Sequence, residues 1–360
     1  MRCLKVNCLK MLFENEVGDH TAVEQLTVFD LPQIYQRPSA EALLNVLEEL
    51  TLAPPSWDVN RELPARGKIH ENGIPAYLTN IISNPLTWIN GDEQKEKIWE
   101  AASQRLSERT GRTGRGDLTR SFLIPTGRNS DDTVTIELHE PALQADNLGL
   151  KTWASSYLLA KRLSILRPTM LELRSHIMIL ELGAGTGLVG LAAAAICKAH
   201  VVLTDLPEIV PNLERNVSTN LKAVAAHGGE VQTAILDWST PHDCNAISEP
   251  YSFPLILAAD PIYSADHPRL LVQAIQYHLS RKGNARVMIE LPLREAYVAE
   301  RADLNTRMRS IGLELTQEGE ETGFDDWSHG NERAEVKCWW SIWSWGPPPP
   351  LPHFRHAHRV

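Results

Sequence analysis

The sequence predicts an α/β protein built on a doubly wound, mostly parallel sheet of seven strands, preceded by an N-terminal helical extension and a β-hairpin. Three observations carry this. From about Leu148 onward, apolar runs of strand length alternate with segments of helical period, the pattern of successive βαβ units. Ile177 to Leu182 is apolar with almost no alternation, as a strand is when both sheet faces are covered. That strand then opens through a glycine-rich turn into an Ala-rich helix, ILELGAGTGLVG over 179–190.

Residues 1–37 show no clear period and are expected to be poorly structured. A helical module with its linker is expected over 38–117. Leu43, Leu47 and Leu50 recur at helical spacing behind Ser39, a capping residue, and Pro54-Pro55 stops the segment. A short helix follows after Pro75, with Leu78, Ile81 and Ile82 on one face, ending near Pro85. A third runs from Asp92 to Arg109, with Ile98, Ala102 and Leu106 as its stripe and Glu93 paired to Lys97. GRTGRGDLTR (111–120) reads as a flexible connection.

The next region, 118–346, starts with the hairpin: Ser121 to Ile124, a turn through GRNSDD, then Thr133 to Leu138 with alternating apolar residues. Strands are expected at Ile177–Leu182, Val201–Thr204, Val231–Leu236, Leu255–Ala259, Val287–Leu291, Leu313–Thr316 and Glu335–Trp345. Helices are expected at Trp153–Leu163, Gly187–Lys198, Glu208–Ala225, Pro268–Leu279 and Glu295–Ser310. The run WWSIWSW (339–345) reads as a buried strand rather than a ligand cage. The Pro-rich tail, 347–360, is expected to be disordered, its His353, His356 and His358 included.

Composition narrows the field. Hydrophobic residues make up 43% and charged residues 22% of the chain, ordinary for a soluble globular protein. The net charge of −10 argues against a nucleic-acid-binding face, which shows as a basic excess. It suits a basic partner. The five cysteines form no CxxC pair and their number is odd, which fits a reducing compartment. The N-terminus carries no signal-peptide run, and the longest apolar stretch, Leu188 to Cys197, is too short to span a bilayer. A cytoplasmic monomer with no membrane or nucleic-acid partner is expected.

The glycine turn admits three cofactor classes. A triphosphate loop needs GxxxxGK[ST], and no Lys follows Gly190. A dinucleotide fingerprint can be read as Gly185-x-Gly187-x-x-Gly190, but the glycine directly after the strand is Gly183, whose third partner would be Leu188. Glu181 decides between the rest. A carboxylate at a buried strand end is costly without a partner, and next to a pyrophosphate it would repel. S-adenosylmethionine (SAM) has no phosphate, and its ammonium and sulfonium suit a carboxylate. Glu181-x-Gly183-x-Gly185-x-Gly187 therefore favours SAM. Asp205, ending the second strand, is placed to accept from both ribose hydroxyls; capping the next helix is the alternative. Asp237 and Trp238 end the third strand, where they would meet the adenine amine and ring.

Together with Trp153 and the run Asp260-Pro261-Ile262-Tyr263, these motifs resemble the seven-β-strand protein-lysine methyltransferases, methyltransferase family 16, over about residues 148–345. The helical extension ahead of NLGLKTWASSYLLAKRL is similar to a fungal branch that modifies translation elongation factors, elongation factor 2 among them. The resemblance implies a Rossmann-like SAM-dependent methyltransferase domain whose cofactor is lined by Trp153, Gly183, Ala184, Gly185, Asp205, Trp238 and Ala259. It also implies a protein substrate.

Methyl transfer is an in-line displacement, and a lysine must lose its proton before it can attack. Asp260 and Tyr263 follow strand four, where open sheets bind ligands, and are the candidate catalytic pair: the acid for the ammonium, the phenol to orient the amine. Helix capping and rim packing are the structural alternatives. DPIY also approaches the (D/N)PPY motif of amide and adenine amine methyltransferases, with Ile262 in place of the second proline. That acceptor, or a small molecule, remains the alternative reading, as does a non-enzymatic binding scaffold.

Overall fold

The computed structural model describes residues 26–52, 57, 69–109, 116–127, 132–142, 148–170, 177–244, 246–247, 249–325 and 334–347. The expectations for residues 1–25, Pro54-Pro55, residues 111–115 of the connection, the GRNSDD tip and the histidines of the tail lie outside these. The chain divides into two compact units, 1–50 with 64–103, and 51–63 with 104–360.

The first unit holds helices α1 (Ala40–Glu49), α2 (Ile74–Ser83) and most of α3 (Asp92–Ser107). Ser39 Oγ accepts the Ala42 N–H at 3.2 Å and so caps α1. The expected stripes are buried: Leu43 and Leu47 on α1, Leu78 and Ile81 on α2, Ile98 on α3. Trp88 and Trp99 turn their indole N–H groups to the carbonyls of Pro38 and Asn84, at 2.8 and 3.0 Å.

In the second unit, β1 (Leu118–Pro125) and β2 (Thr133–Glu140) form the antiparallel hairpin, longer at each outer end than its apolar run. Its inner face buries Phe122, Ile124, Val134, Ile136 and Leu138, and at its open end Arg120 lies 3.4 Å from the fully buried Glu140. Then follow α4 (Ala154–Met170), β3 (Met178–Leu182), α5 (Leu188–Cys197), β4 (His200–Asp205), α6 (Val210–Ala226), β5 (Glu230–Ile235), β6 (Leu255–Ala259), α7 (His267–His278), β7 (Arg286–Pro292), α8 (Val298–Ser310), β8 (Leu313–Asp325) and β9 (Ala334–Trp345).

The seven strands lie in the order β5-β4-β3-β6-β7-β9-β8. All neighbours are parallel except β9, which runs antiparallel to both β7 and β8. Both faces are covered, as the unalternating strands required. Ile179, Leu257 and Met288 pack with α4 and α5, while Leu180, Ile256 and Val287 pack with α7 and α8. On β9, Trp343 is fully buried and Trp345 donates to the Ser280 carbonyl at 2.6 Å. The aromatic run is therefore sheet core.

Two bounds differ from the sequence reading for physical reasons. β8 runs on to Asp325 because QEGEET, poor in strand formers, is held by its ladder with β9 despite a bulge between Leu315 and Gln317. α6 begins at Val210, not Glu208, so Asp205 caps no helix. No helix among the described residues is long and apolar enough to cross a membrane.

Candidate active site

β3 and β6 lie side by side where the strand order reverses, so the loops after them open into one crevice. The loop after β3 turns sharply through Gly183, Gly185 and Gly187 at φ of 71°, 57° and 92°, a region side chains rarely enter. Space is tight for a Cβ as well. At Gly183 it would stand 3.1 Å from the Trp238 ring, and at Gly185 3.0 Å from the Gly149 carbonyl oxygen. The turn is tied to the end of β4: the N–H groups of Gly183 and Ala184 both donate to the Thr204 carbonyl, at 3.0 and 2.9 Å.

Two carboxylates flank this cradle. Glu181 is buried at the end of β3, and its Oε2 accepts the Gly190 N–H, in the first turn of α5, at 2.8 Å. Burial outweighs that bond and pushes the carboxyl up to about 8. Asp205 ends β4, accepting from the Gly185 N–H at 2.7 Å and the Leu206 N–H at 2.8 Å. Burial pushes it up to about 6 against these bonds. Among the described residues neither acid has a basic side chain in ion-pair range.

The segment ahead of α4 closes one wall. Thr152 and Thr186 share a hydroxyl hydrogen bond of 2.9 Å, and Trp153 donates its indole N–H to the Leu148 carbonyl at 3.3 Å. Trp238, half-buried, closes another wall against Gly183. Asp237 beside it is exposed, with Oδ1 accepting the Ser239 N–H at 2.7 Å. Ala259, half-buried at the end of β6, stands opposite Glu290 of β7.

At the next residue the backbone takes a left-handed turn, with Asp260 at φ 50° and its N–H bonded to the Glu290 carbonyl at 2.8 Å. The Asp260 carboxylate is held in a fork by Arg294: Nη1 to Oδ1 at 3.1 Å, Nη2 to Oδ2 at 2.8 Å. Burial raises the Asp260 carboxyl to about 6, and Arg294 pulls against it. The Arg294 guanidinium also lies over the Trp153 ring, 5.2 Å from its centroid. Tyr263 is 47% exposed. Its ring meets His267 edge-on at 4.2 Å, and His267 in turn meets Trp238 at 6.0 Å. Burial, then the charges of Asp205, Asp260 and Glu208, push the Tyr263 phenol up. The phenol thus lies within electrostatic reach of both ends of the crevice.

Three participants escaped sequence reading. Gly190 was visible only as the last glycine of a competing fingerprint; its place is beside Glu181, whose carboxylate a Cβ would strike. His267 orders Tyr263 but belongs to no motif. Arg294, 34 residues beyond Asp260, carries no spacing signal at all. Among the described residues no group of acids, histidines and cysteines could hold a metal ion.

Comparison with known proteins gives one consistent result. A family profile described as lysine methyltransferase matches residues 130–301. The protein-lysine N-methyltransferase rrg1 of Schizosaccharomyces pombe is 33% identical over 88% of this chain and 97% of its own length. The protein-lysine N-methyltransferase EFM2 of Saccharomyces cerevisiae is 39% identical over 66% of this chain and 58% of its own. The EEF1A lysine methyltransferase 3 of Xenopus tropicalis is 34% identical over 28% of this chain and 40% of its own.

Proposed function

We propose, for a chain that belongs to the lysine methyltransferase family and uses SAM to methylate protein lysine, that its acceptor is a lysine on a folded translation elongation factor, elongation factor 2 first. The names of the relatives support an elongation factor, and the acidic chain suits a lysine-bearing surface. The observation that carries the assignment of the acceptor end is the joint placement of Asp260 and Tyr263 beyond β6, with Trp153 alongside through Arg294.

In this reading Gly183, Ala184, Gly185 and Gly187 form the cradle of SAM, with Trp238 and Trp153 as walls. Asp205 takes the ribose, Asp237 the adenine amine, and Glu181 answers the cationic end. When bound, SAM supplies a methyl group made electrophilic by its sulfonium. The protein's part is placement: Ala259 leaves room at the end of β6, while Asp260 and Tyr263 orient the amine in line, an arrangement that can supply several kcal/mol by proximity.

The test is methylation of purified elongation factor 2, and of elongation factor 1A in parallel, with labelled SAM, followed by mass spectrometry of the labelled peptide. A methylated lysine on elongation factor 2 is expected. Label on glutamine, nucleic acid or a small metabolite would overturn the lysine acceptor; label on another protein would overturn the elongation factor.

A further inference from the structure

Asp260 does not wait for a substrate as a bare carboxylate. Both its oxygens are engaged by Arg294, and its side chain is 5% exposed where that of Arg294 is 35% exposed. Of the two, the guanidinium is the more exposed. Arg294 is also fixed from other sides. Its ring neighbour is Trp153 at 5.2 Å, and its own carbonyl accepts from Arg301 Nη1 at 2.7 Å. A carboxylate offers about four lone-pair directions, so after the fork it can still accept one N–H from a visiting amine.

This bears on protonation. A bare carboxylate beside a lysine stabilises the ammonium and raises its pKa above the usual 10.4 or so, the wrong direction for a nucleophile. A carboxylate already neutralised by an arginine gives a hydrogen bond without that penalty. The other charges facing the pair do not replace Arg294. From β7 and β8, Glu290 and Glu321 engage Arg162 of α4, and the Cys338 thiol of β9 is pushed up by burial and by these acids. From the β4 end come the acids Asp205 and Glu208, which act with Asp260 on the Tyr263 phenol. From α7 comes His267, which burial holds below its ordinary value.

We propose that Arg294 is a positioning residue for methyl transfer: it cancels the charge of Asp260, so that the acceptor amine sheds its proton to water on entering and is oriented as a neutral nucleophile. The inference rests on the reading above that the amine sits at Asp260. The amine lone pair then forms the N–C bond, the S–C bond breaks with its electrons on sulfur, and the methylated ammonium loses its extra proton to water.

The experiment compares wild type, Arg294→Met, Arg294→Gln and Arg294→Lys between pH 6 and 10. The probe is purified elongation factor 2 or, should it stay unlabelled, the protein that wild type labels in a lysate. In Arg294→Met the rising limb of kcat, which reads the amine in the complex, moves up by about one pH unit or more, so kcat on the low-pH side of the limb falls about tenfold. The deficit closes toward pH 10. Arg294→Gln repeats the comparison with a polar replacement, Arg294→Lys recovers most of the limb, and SAM affinity by calorimetry stays within about twofold. Independently of turnover, binding of the probe protein to the enzyme–S-adenosylhomocysteine complex at pH 7.5, measured in two buffers of different ionisation heat, releases close to one proton for wild type and less than half for Arg294→Met. A uniform loss at every pH, or an unchanged profile in the Met and Gln variants, overturns the inference alone. A wild type that labels no protein overturns the reading of function, and the inference with it.

Discussion

Asp205 contributes twice at the residue scale, holding the glycine turn through the Gly185 N–H and, in the proposed site, the ribose. Asp205→Ala is expected to weaken SAM binding by about 1–3 kcal/mol, the scale of a lost charge-assisted hydrogen bond. Unchanged affinity by calorimetry in a folded variant would remove Asp205 from the site. Asp260→Asn is expected to keep SAM affinity and lose most turnover, because the fork with Arg294 goes and the arginine is released into the crevice; kcat and the SAM dissociation constant measured together decide it. Glu181, the glycines and Asp205 were legible because chain neighbours fix the turn that joins them. Arg294 was not, because what ties it to Asp260 is a contact closed by β6 and β7 lying side by side.

Elements are held by contacts that sequence pattern does not announce. The outer edge of β2 is paired not by a strand but by asparagines of α6, with Asn212 donating to the His139 carbonyl at 3.1 Å. Asn220 accepts the Glu137 N–H at 2.9 Å and donates to its carbonyl at 2.7 Å. Asn216 does the same for His139, at 2.8 and 3.1 Å, and also donates to the Thr186 carbonyl of the glycine turn at 3.0 Å. One buried amide thus joins hairpin, helix and glycine turn. Asn216→Ala takes this partner from the His139 N–H and the Thr186 carbonyl, each costing about 1–3 kcal/mol when buried unpaired, while Asn212 still donates to the His139 carbonyl. A loss of about 3 kcal/mol or more in denaturant unfolding is expected, together with weaker SAM binding. A loss under about 1 kcal/mol would show that the clamp is dispensable. In sequence these asparagines are only mediocre helix residues at i,i+4; their meaning comes from the strand they face.

The whole molecule brings distant chain together in ways with measurable consequences. Trp57, inside the stretch read as a helical module, packs in the core of the second unit, with ring centroids 5.4 Å from Phe122 and 6.2 Å from Tyr157. Trp57→Ala is expected to cost about 3–5 kcal/mol, and a shift in melting temperature below about 2 °C would contradict that packing. Buried acids give the fold a pH dependence of definite sign. Glu181 is pushed up to about 8, and Asp205 and Asp260 to about 6, from unfolded values near 4. Such groups stabilise fully below about pH 4 and lose that contribution as pH rises through their folded values. His278, held down to about 4 by burial, acts the opposite way below about pH 6.5, so above it the raised acids set the sign, Glu290, pushed up to about 9 by burial, among them. The SAM-free protein is expected to melt lower at pH 8.5 than at pH 6.5, and Glu181→Gln to flatten that difference; an equal slope in both would take Glu181 out of the account.

What the sequence determined by itself is whatever is encoded within one element and its turn: the alternating units, the covered sheet, the glycine cradle with Glu181 and Asp205, and hence the cofactor. Those signals are local, set by periodicity, backbone freedom and the cost of burying a charge. Tertiary structure alone decided which partner each polar group received. It placed Arg294 on Asp260, Gly190 under Glu181, Asn216 between hairpin and turn, and carried β8 through a polar run to Asp325. Burial sets that division. A side chain's hydrogen-bonding need is written in its type, but the group that satisfies it is chosen only when strands and helices far apart in the chain come into register.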